Sequence, residues 1–162
     1  NAKSFYGRAT FAITPKLNVG ASYANHDLVQ GTDSSAMNSG YNFDAQWSAP
    51  GNEGLYVMAD YMAGESTLDS TNDIWGFQGV AAYNIRMQSP TSFLYAIEPA
   101  FRYDIAEPNN NIVDDQTTLI TAGVNLYFGS KVQFRMMYES QSFEDSALNT
   151  ISGFRSALTM NF

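Results

Sequence analysis

Chemistry needs nucleophiles, acid–base groups or metal ligands at workable spacing, and few residues here are arranged for it. The 162-residue chain has no cysteine and a single histidine, His26, so neither thiol chemistry nor a disulfide framework is available. Ser34, Ser35 and Ser48 lie in ordinary polar context, and no Ser, His and Asp stand at triad spacing. There is no glycine-rich phosphate loop. The carboxylate pairs Asp114–Asp115 and Glu144–Asp145 have the right type for Ca²⁺ or Mg²⁺, but solvated loop charge is the plainer reading, so no metal site and no cofactor are assigned. No enzymatic activity is expected. What remains is charge set into alternating stretches: Arg8, Arg102, Arg135 and Arg155, with Asp44, Asp60, Glu98, Asp104 and Glu139. Charges placed this way do not react; they line a surface and select what passes over it.

The elements that carry these charges are strands, in which successive side chains point to opposite faces. Near the start, Phe5, Gly7, Ala9, Phe11 and Ile13 fall on one parity, while Tyr6, Arg8, Thr10 and Thr14 fall on the other. Tyr41, Phe43, Ala45 and Trp47 oppose Asn42, Asp44, Gln46 and Ser48. Trp75, Phe77, Ala81, Tyr83 and Ile85 oppose Gln78, Asn84 and Arg86. Phe93, Tyr95, Ile97, Phe101 and Tyr103 oppose Glu98, Arg102 and Asp104. Val132, Phe134, Met136 and Tyr138 oppose Gln133, Arg135 and Glu139. Within the expected strands every charge lies opposite the apolar stripe. Pro99 is the irregular residue: it sits mid-strand on the apolar parity and cannot donate a ladder hydrogen bond, and a bulge is one way to place it.

The expected strands cover 4–14, 17–26, 41–48, 55–64, 75–86, 92–105, 117–128, 132–140 and 151–162, with no helix. Short connections with turn residues (Thr14-Pro15-Lys16, Gly129-Ser130-Lys131) alternate with long, polar, acidic ones (27–40, 65–74, 106–116, 141–150). No linker divides the chain, so 1–162 reads as one domain.

No run approaches the ~20 apolar residues of a membrane helix. A transmembrane β-barrel is different, because its lipid-facing and lumen-facing residues alternate. Three features favour that over a soluble sandwich or lipocalin. The last strand alternates up to a terminal Phe162, which looks like the assembly signal of bacterial outer-membrane barrels. The three lysines, Lys3, Lys16 and Lys131, sit at or beside strand ends, not along the polar face. Aromatic residues close the stripes at both ends, with Tyr23, Tyr41, Trp75, Tyr103 and Tyr138 toward the long loops and Trp47, Phe93, Phe128 and Phe162 toward the short turns, like two interfacial girdles. The net charge of −8 argues against nucleic-acid binding.

The expected fold is therefore an all-β, antiparallel, up-and-down transmembrane barrel in the bacterial outer membrane. The strand directions place the first strand's start outside the cell. An odd count with that polarity suggests the C-terminal portion of a larger barrel of about 16 to 18 strands, completed by strands of the same or another chain. The alternative is an eight-stranded ring over 17–162 with a structural or adhesion role and no open pore.

Three stretches resemble one family. Gly123, Asn125 and Tyr127, followed after a short turn by Val132–Tyr138, resemble a late hairpin of the phosphate-selective porin O and P family. Glu98, Arg102 and Tyr103 resemble that family's Glu-x-x-x-Arg-Tyr strand, and Gly153–Phe162, with Arg155 inward, its closing strand. The likeness is clearest over 92–162. It implies a homotrimeric porin with outer-membrane lipid and lipopolysaccharide as surroundings, passing small hydrophilic solutes or ions by passive diffusion. The scarcity of lysine departs from the family's basic lining and favours a general channel over a phosphate-selective one. The nine charged residues named above are then the expected pore lining. Counting from the turns puts Arg8, Asp44, Asp60, Glu98 and Arg155 near mid-height. Either the basic and acidic groups occupy different walls and set up a transverse field, or they pair across strands and simply solvate the lumen.

Overall fold

The computed structural model describes residues 4–28, 36–65, 72–87, 93–129 and 132–160. Phe162, Lys3 and Lys131 lie outside these residues, as do parts of the loops expected at 27–40 and 65–74. Nine strands follow one another: β1 (Ser4–Ala12), β2 (Leu17–Leu28), β3 (Ala36–Trp47), β4 (Gly54–Glu65), β5 (Asp73–Arg86), β6 (Ala96–Glu107), β7 (Thr117–Phe128), β8 (Val132–Phe143) and β9 (Ile151–Met160). Each pairs antiparallel with its sequence neighbour, giving one sheet in the order β1 to β9. Among the described residues there is no helix.

Local chemistry explains the turns. The Thr14 hydroxyl accepts from the backbone N–H groups of Lys16 and Leu17 at 3.2 and 2.9 Å, an arrangement that threonine offers a tight turn. Ile13 N–H donates to Leu17 O at 2.8 Å. This closes the first hairpin, so β1 stops at Ala12 instead of running to 14. Gly129 opens the β7–β8 turn at φ 65°, a left-handed conformation that only glycine adopts without a Cβ penalty.

The strands run further at the loop ends than expected. β2 reaches Leu28, β3 begins at Ala36, β5 begins at Asp73, β6 reaches Glu107 and β8 reaches Phe143. The ends of β4, β5 and β6 carry Glu65, Asp73 and Glu107 on the same parity as the apolar stripe. All three sit at strand extremities beside the long loops, so the stripe is bounded by carboxylates there. From Ile85 to Trp75 the stripe on β5 measures about 34 Å along the strand, or about 24 Å in height at a 45° tilt.

Pro99 makes no bulge. The β5–β6 pairing lapses opposite Tyr83 and Asn84 and resumes at Ile85↔Ile97 in the register it had at Ala82↔Ala100. Pro99 remains paired with Val124 on the other side. The missing N–H is thus absorbed by a gap in one ladder, on the side facing β5.

Among the described residues the sheet has no hydrophobic core: Ala82 and Ala96 are the only buried apolar residues there, against four buried polar ones, Asn84, Glu98, Thr121 and Asn125. The chain exposes 10870 Å², whereas a compact monomer of this length exposes about 8,000 Å². Phe5, Phe43, Tyr83, Phe101 and Phe154 all lie open on the apolar face. No second layer covers that face among the described residues, as a sandwich or lipocalin requires. The sheet is also open. Among the described residues β1 pairs only with β2, and β9 only with β8. A ring of eight strands would need β2 to meet β9, but β2 is paired with both β1 and β3.

Candidate functional site on the polar face

Residues opposite one another in an antiparallel ladder share a face. Carried from strand to strand, the register sets all nine expected lining residues on one face: Arg8, Asp44, Asp60, Glu98, Arg102, Asp104, Arg135, Glu139 and Arg155. The apolar stripe occupies the other.

One register row concentrates charge. Gly20, Asp44, Asp60, Gln78 and Asp104 stand side by side across β2 to β6. Like charges directly opposite, as Asp44 and Asp60 are, destabilise a sheet, so the neighbours that compensate them matter. Arg8 Nη2 lies 2.6 Å from Asp44 Oδ1. It reaches there from β1, across the whole width of β2, because the residue between is glycine. A Cβ built on Gly20 would stand 2.6 Å from Asp44 Oδ1 and 2.8 Å from Arg8 Nη2. Arg102 Nε lies 2.6 Å from Asp104 Oδ2, and Gln78 Nε2 donates to Asp104 Oδ1 at 2.9 Å. Asp60 takes a neutral donor, Asn42 Nδ2 at 2.9 Å.

A second cluster lies toward the turn end. Glu98 Oε2 accepts from Asn84 Nδ2 at 3.0 Å. Glu98 Oε1 accepts from Asn125 Nδ2 at 2.8 Å and from the Tyr127 hydroxyl at 3.0 Å. These side chains bridge β5, β6 and β7 where the β5–β6 ladder lapses beside Pro99. On the last two strands Arg155 Nε lies 2.6 Å from Glu139 Oε2, and Arg135 Nη2 donates to Gln133 Oε1 at 3.3 Å.

Of the two arrangements expected for the charges, pairing is what Arg8, Arg102 and Arg155 show, each holding a carboxylate at 2.6 Å. One expectation needs correction: Glu98 does not align with Asp44 and Asp60; Asp104 does. β6 begins at Ala96 instead of at residue 92, and its register sets Asp104 opposite Gln78. Phe93 and Tyr95 precede β6, Phe93 packing on Phe128 at 5.0 Å and Tyr95 beneath the Arg86 guanidinium at 5.5 Å.

Near the long loops Gly40, Met62, Gly64, Ile74, Gly76 and Ala106 line a shallow concavity of about 600 Å³, together with Glu65 and Glu107. On the opposite face, Tyr41, Tyr61 and Trp75 form a run with ring centroids 6.4 and 6.3 Å apart. Among the described residues no three carboxylate or imidazole groups converge to hold a metal ion by themselves.

Parity missed the spanning role of Gly20 and the Asn84–Glu98–Asn125–Tyr127 cluster. The signal for the cluster was present: amides and a carboxylate on the polar parity of three successive strands. No family model, no curated protein and no solved structure matches this chain.

Proposed function

We propose that this chain is part of the wall of an outer-membrane diffusion channel, which passes small hydrophilic solutes or ions through a water-filled lumen. The observation that carries the reading is the sheet's division into two unlike faces without a core. One face presents aromatic and aliphatic side chains to the outside in a belt about 25 Å tall, the height of a barrel's lipid band. The other presents ion pairs, amides and single carboxylates, which suit water. Folding cannot bury the apolar face within the described residues, and lipid would cover it. The carboxylates that end the belt beside the long loops fit the membrane boundary, as does the aromatic run Tyr41–Tyr61–Trp75.

The unpaired edges of β1 and β9 support a larger barrel, because an exposed edge strand seeks a partner. The complementary strands come from the same or another chain. The resemblance to the phosphate-selective porin O and P family points the same way and would bring with it a homotrimer in contact with lipopolysaccharide. The paired arginines and the lone Asp60 favour a general or mildly selective channel over an anion-selective one. The nine charged residues of the polar face are its proposed lining. The direct test is conductance in planar bilayers, using the complete assembly extracted from outer membranes. Discrete, ohmic channel openings are expected; a folded, inserted assembly that never conducts would defeat the proposal.

A further inference from the structure

We propose that the concavity at the loop ends of β3 to β6, with Asp60 beside it, is a binding site for an organic cation that carries an apolar body, of the arylalkylammonium class. Its place follows from the register. On the polar face Asn42, Met62, Gly76 and Ala106 stand in one row, and Gly40, Gly64 and Ile74 in the next row toward the loops. The charged row with Asp44, Asp60 and Asp104 lies immediately below. A volume of about 600 Å³ falls in the range of small-molecule sites, which are mostly apolar with a few placed polar groups.

Packing does not account for the open floor. A Cβ on Gly64 would fall 2.5 Å from the Ser39 carbonyl oxygen, so glycine there serves the close approach of β3. Gly40 and Gly76 are under no such constraint. A Cβ on either would meet its nearest neighbour at 3.6 and 3.5 Å, ordinary van der Waals contact. Side chains would fit at both positions. Their absence leaves the Met62 side chain, 54% exposed, uncovered on that side. Water gains nothing from such a surface, whereas an apolar group laid over it removes that area from water.

The surroundings set the sign of the ligand's charge. Glu65 and Glu107 border the concavity, and among the described residues no lysine, arginine or histidine lines it. In the row below, Asp44 and Asp104 each hold an arginine at 2.6 Å, whereas Asp60 between them takes the neutral Asn42 amide at 2.9 Å. Asp60 and Met62 project from the same face of β4 two residues apart, about 7 Å along the strand. One arylalkylammonium can span that distance, with its ammonium on the carboxylate and its ring on the floor. An anion would meet three carboxylates instead. The position of this site in a lumen rests on the channel reading; the binding itself does not.

Methyl NMR tests this on the full chain refolded in detergent micelles, with isotope-labelled methionine methyls and benzyltrimethylammonium as the probe. The Met62 methyl, assigned through Met62→Leu, reports the concavity; that of Met136, on the apolar face, reports partition into detergent. The Met62 signal should shift saturably with an affinity on the order of 1–10 mM, as suits so small a ligand, while Met136 stays in place. Benzenesulfonate, of opposite charge, and tetramethylammonium, without the ring, should bind at least about tenfold more weakly. Asp60→Asn should weaken the probe about tenfold. Asp60→Glu keeps the charge and should bind like the parent, which guards against loss by misfolding. Gly76→Val should fill the floor and abolish the Met62 shift. No shift at Met62, shifts at Met62 and Met136 together, equal binding of benzenesulfonate or tetramethylammonium, or parent-like affinity in Asp60→Asn or Gly76→Val would each overturn the site. A chain that binds the probe but never conducts defeats only the channel, and one that conducts with Met62 unmoved defeats only this site.

Discussion

Replacing Glu98 by alanine removes the acceptor shared by three donors. Asn84 and Asn125 are buried, and each loses the acceptor of its amide nitrogen. A buried donor left unpaired costs about 1–3 kcal/mol. The Tyr127 hydroxyl is half-buried and can turn to water, so it adds less. Removing a buried carboxylate also recovers its desolvation cost, which offsets part of the loss. The net expectation is a destabilisation of about 2–4 kcal/mol. Glu98→Gln keeps one acceptor and should fall below that range. The assay is equilibrium urea unfolding in micelles, followed by the fluorescence of Trp47 and Trp75, with the slope checked for constancy so that the midpoint reports stability alone. Hydrogen exchange should localise the effect, with amides of 96–100 losing protection first, because the ladder to β5 is already interrupted there. If Glu98→Ala stays within about 0.5 kcal/mol of the parent, as an ordinary surface change would, the cluster is not what ties β5 to β7.

Three further outcomes follow from the two faces. Ala81→Arg places a charge mid-belt on the apolar face, between Val57 and Phe101. Folding into phosphatidylcholine vesicles should weaken by roughly 2–4 kcal/mol, whereas Ala82→Arg, one residue along on the polar face, should avoid the lipid penalty. Gly20→Val should push Arg8 away from Asp44, since even a Cβ there falls within 2.8 Å of both groups. An exposed ion pair contributes less than about 1 kcal/mol, so stability should change little while a crystal structure of the variant shows the pair broken. Asp60→Asn removes the one carboxylate of the charged row that lacks an arginine partner and should lower the cation-over-anion permeability ratio measured by reversal potential.

Alternation in the sequence was enough to predict the strand number, the antiparallel meander and the face shared by the nine charged residues of the expected strands, because parity is a local property. β7 was located to the residue, its stripe of Ile120, Ala122, Val124 and Leu126 being unbroken between a Thr pair and a Gly129 turn. Strand ends were harder. Glu65, Asp73 and Glu107 break the apolar parity and lie beyond the expected strands, yet the ladders continue through these residues. β6 was misplaced at its start because Phe93 and Tyr95 extend the aromatic stripe without belonging to the strand. Which charges would meet was not readable either. Parity assigns a face but not a register, and register depends on connection length. The Arg8–Asp44 pair, reaching over a glycine from two strands away, has no local sequence signature.

The two-faced sheet is tested most directly by a nitroxide scan along β7. The chain has no cysteine, so single cysteines can be placed from Thr117 to Phe128 and labelled after refolding into vesicles. Labels at Ile120, Ala122, Val124 and Leu126 should show high collision with oxygen and little with a water-soluble nickel chelate, with depth greatest near Ala122 and Val124. Labels at Leu119 and Thr121 should show the reverse. Equal access of the nickel chelate to both sets, or no oxygen-rich positions at all, would mean that the apolar face never meets lipid, and the channel account would fall with it.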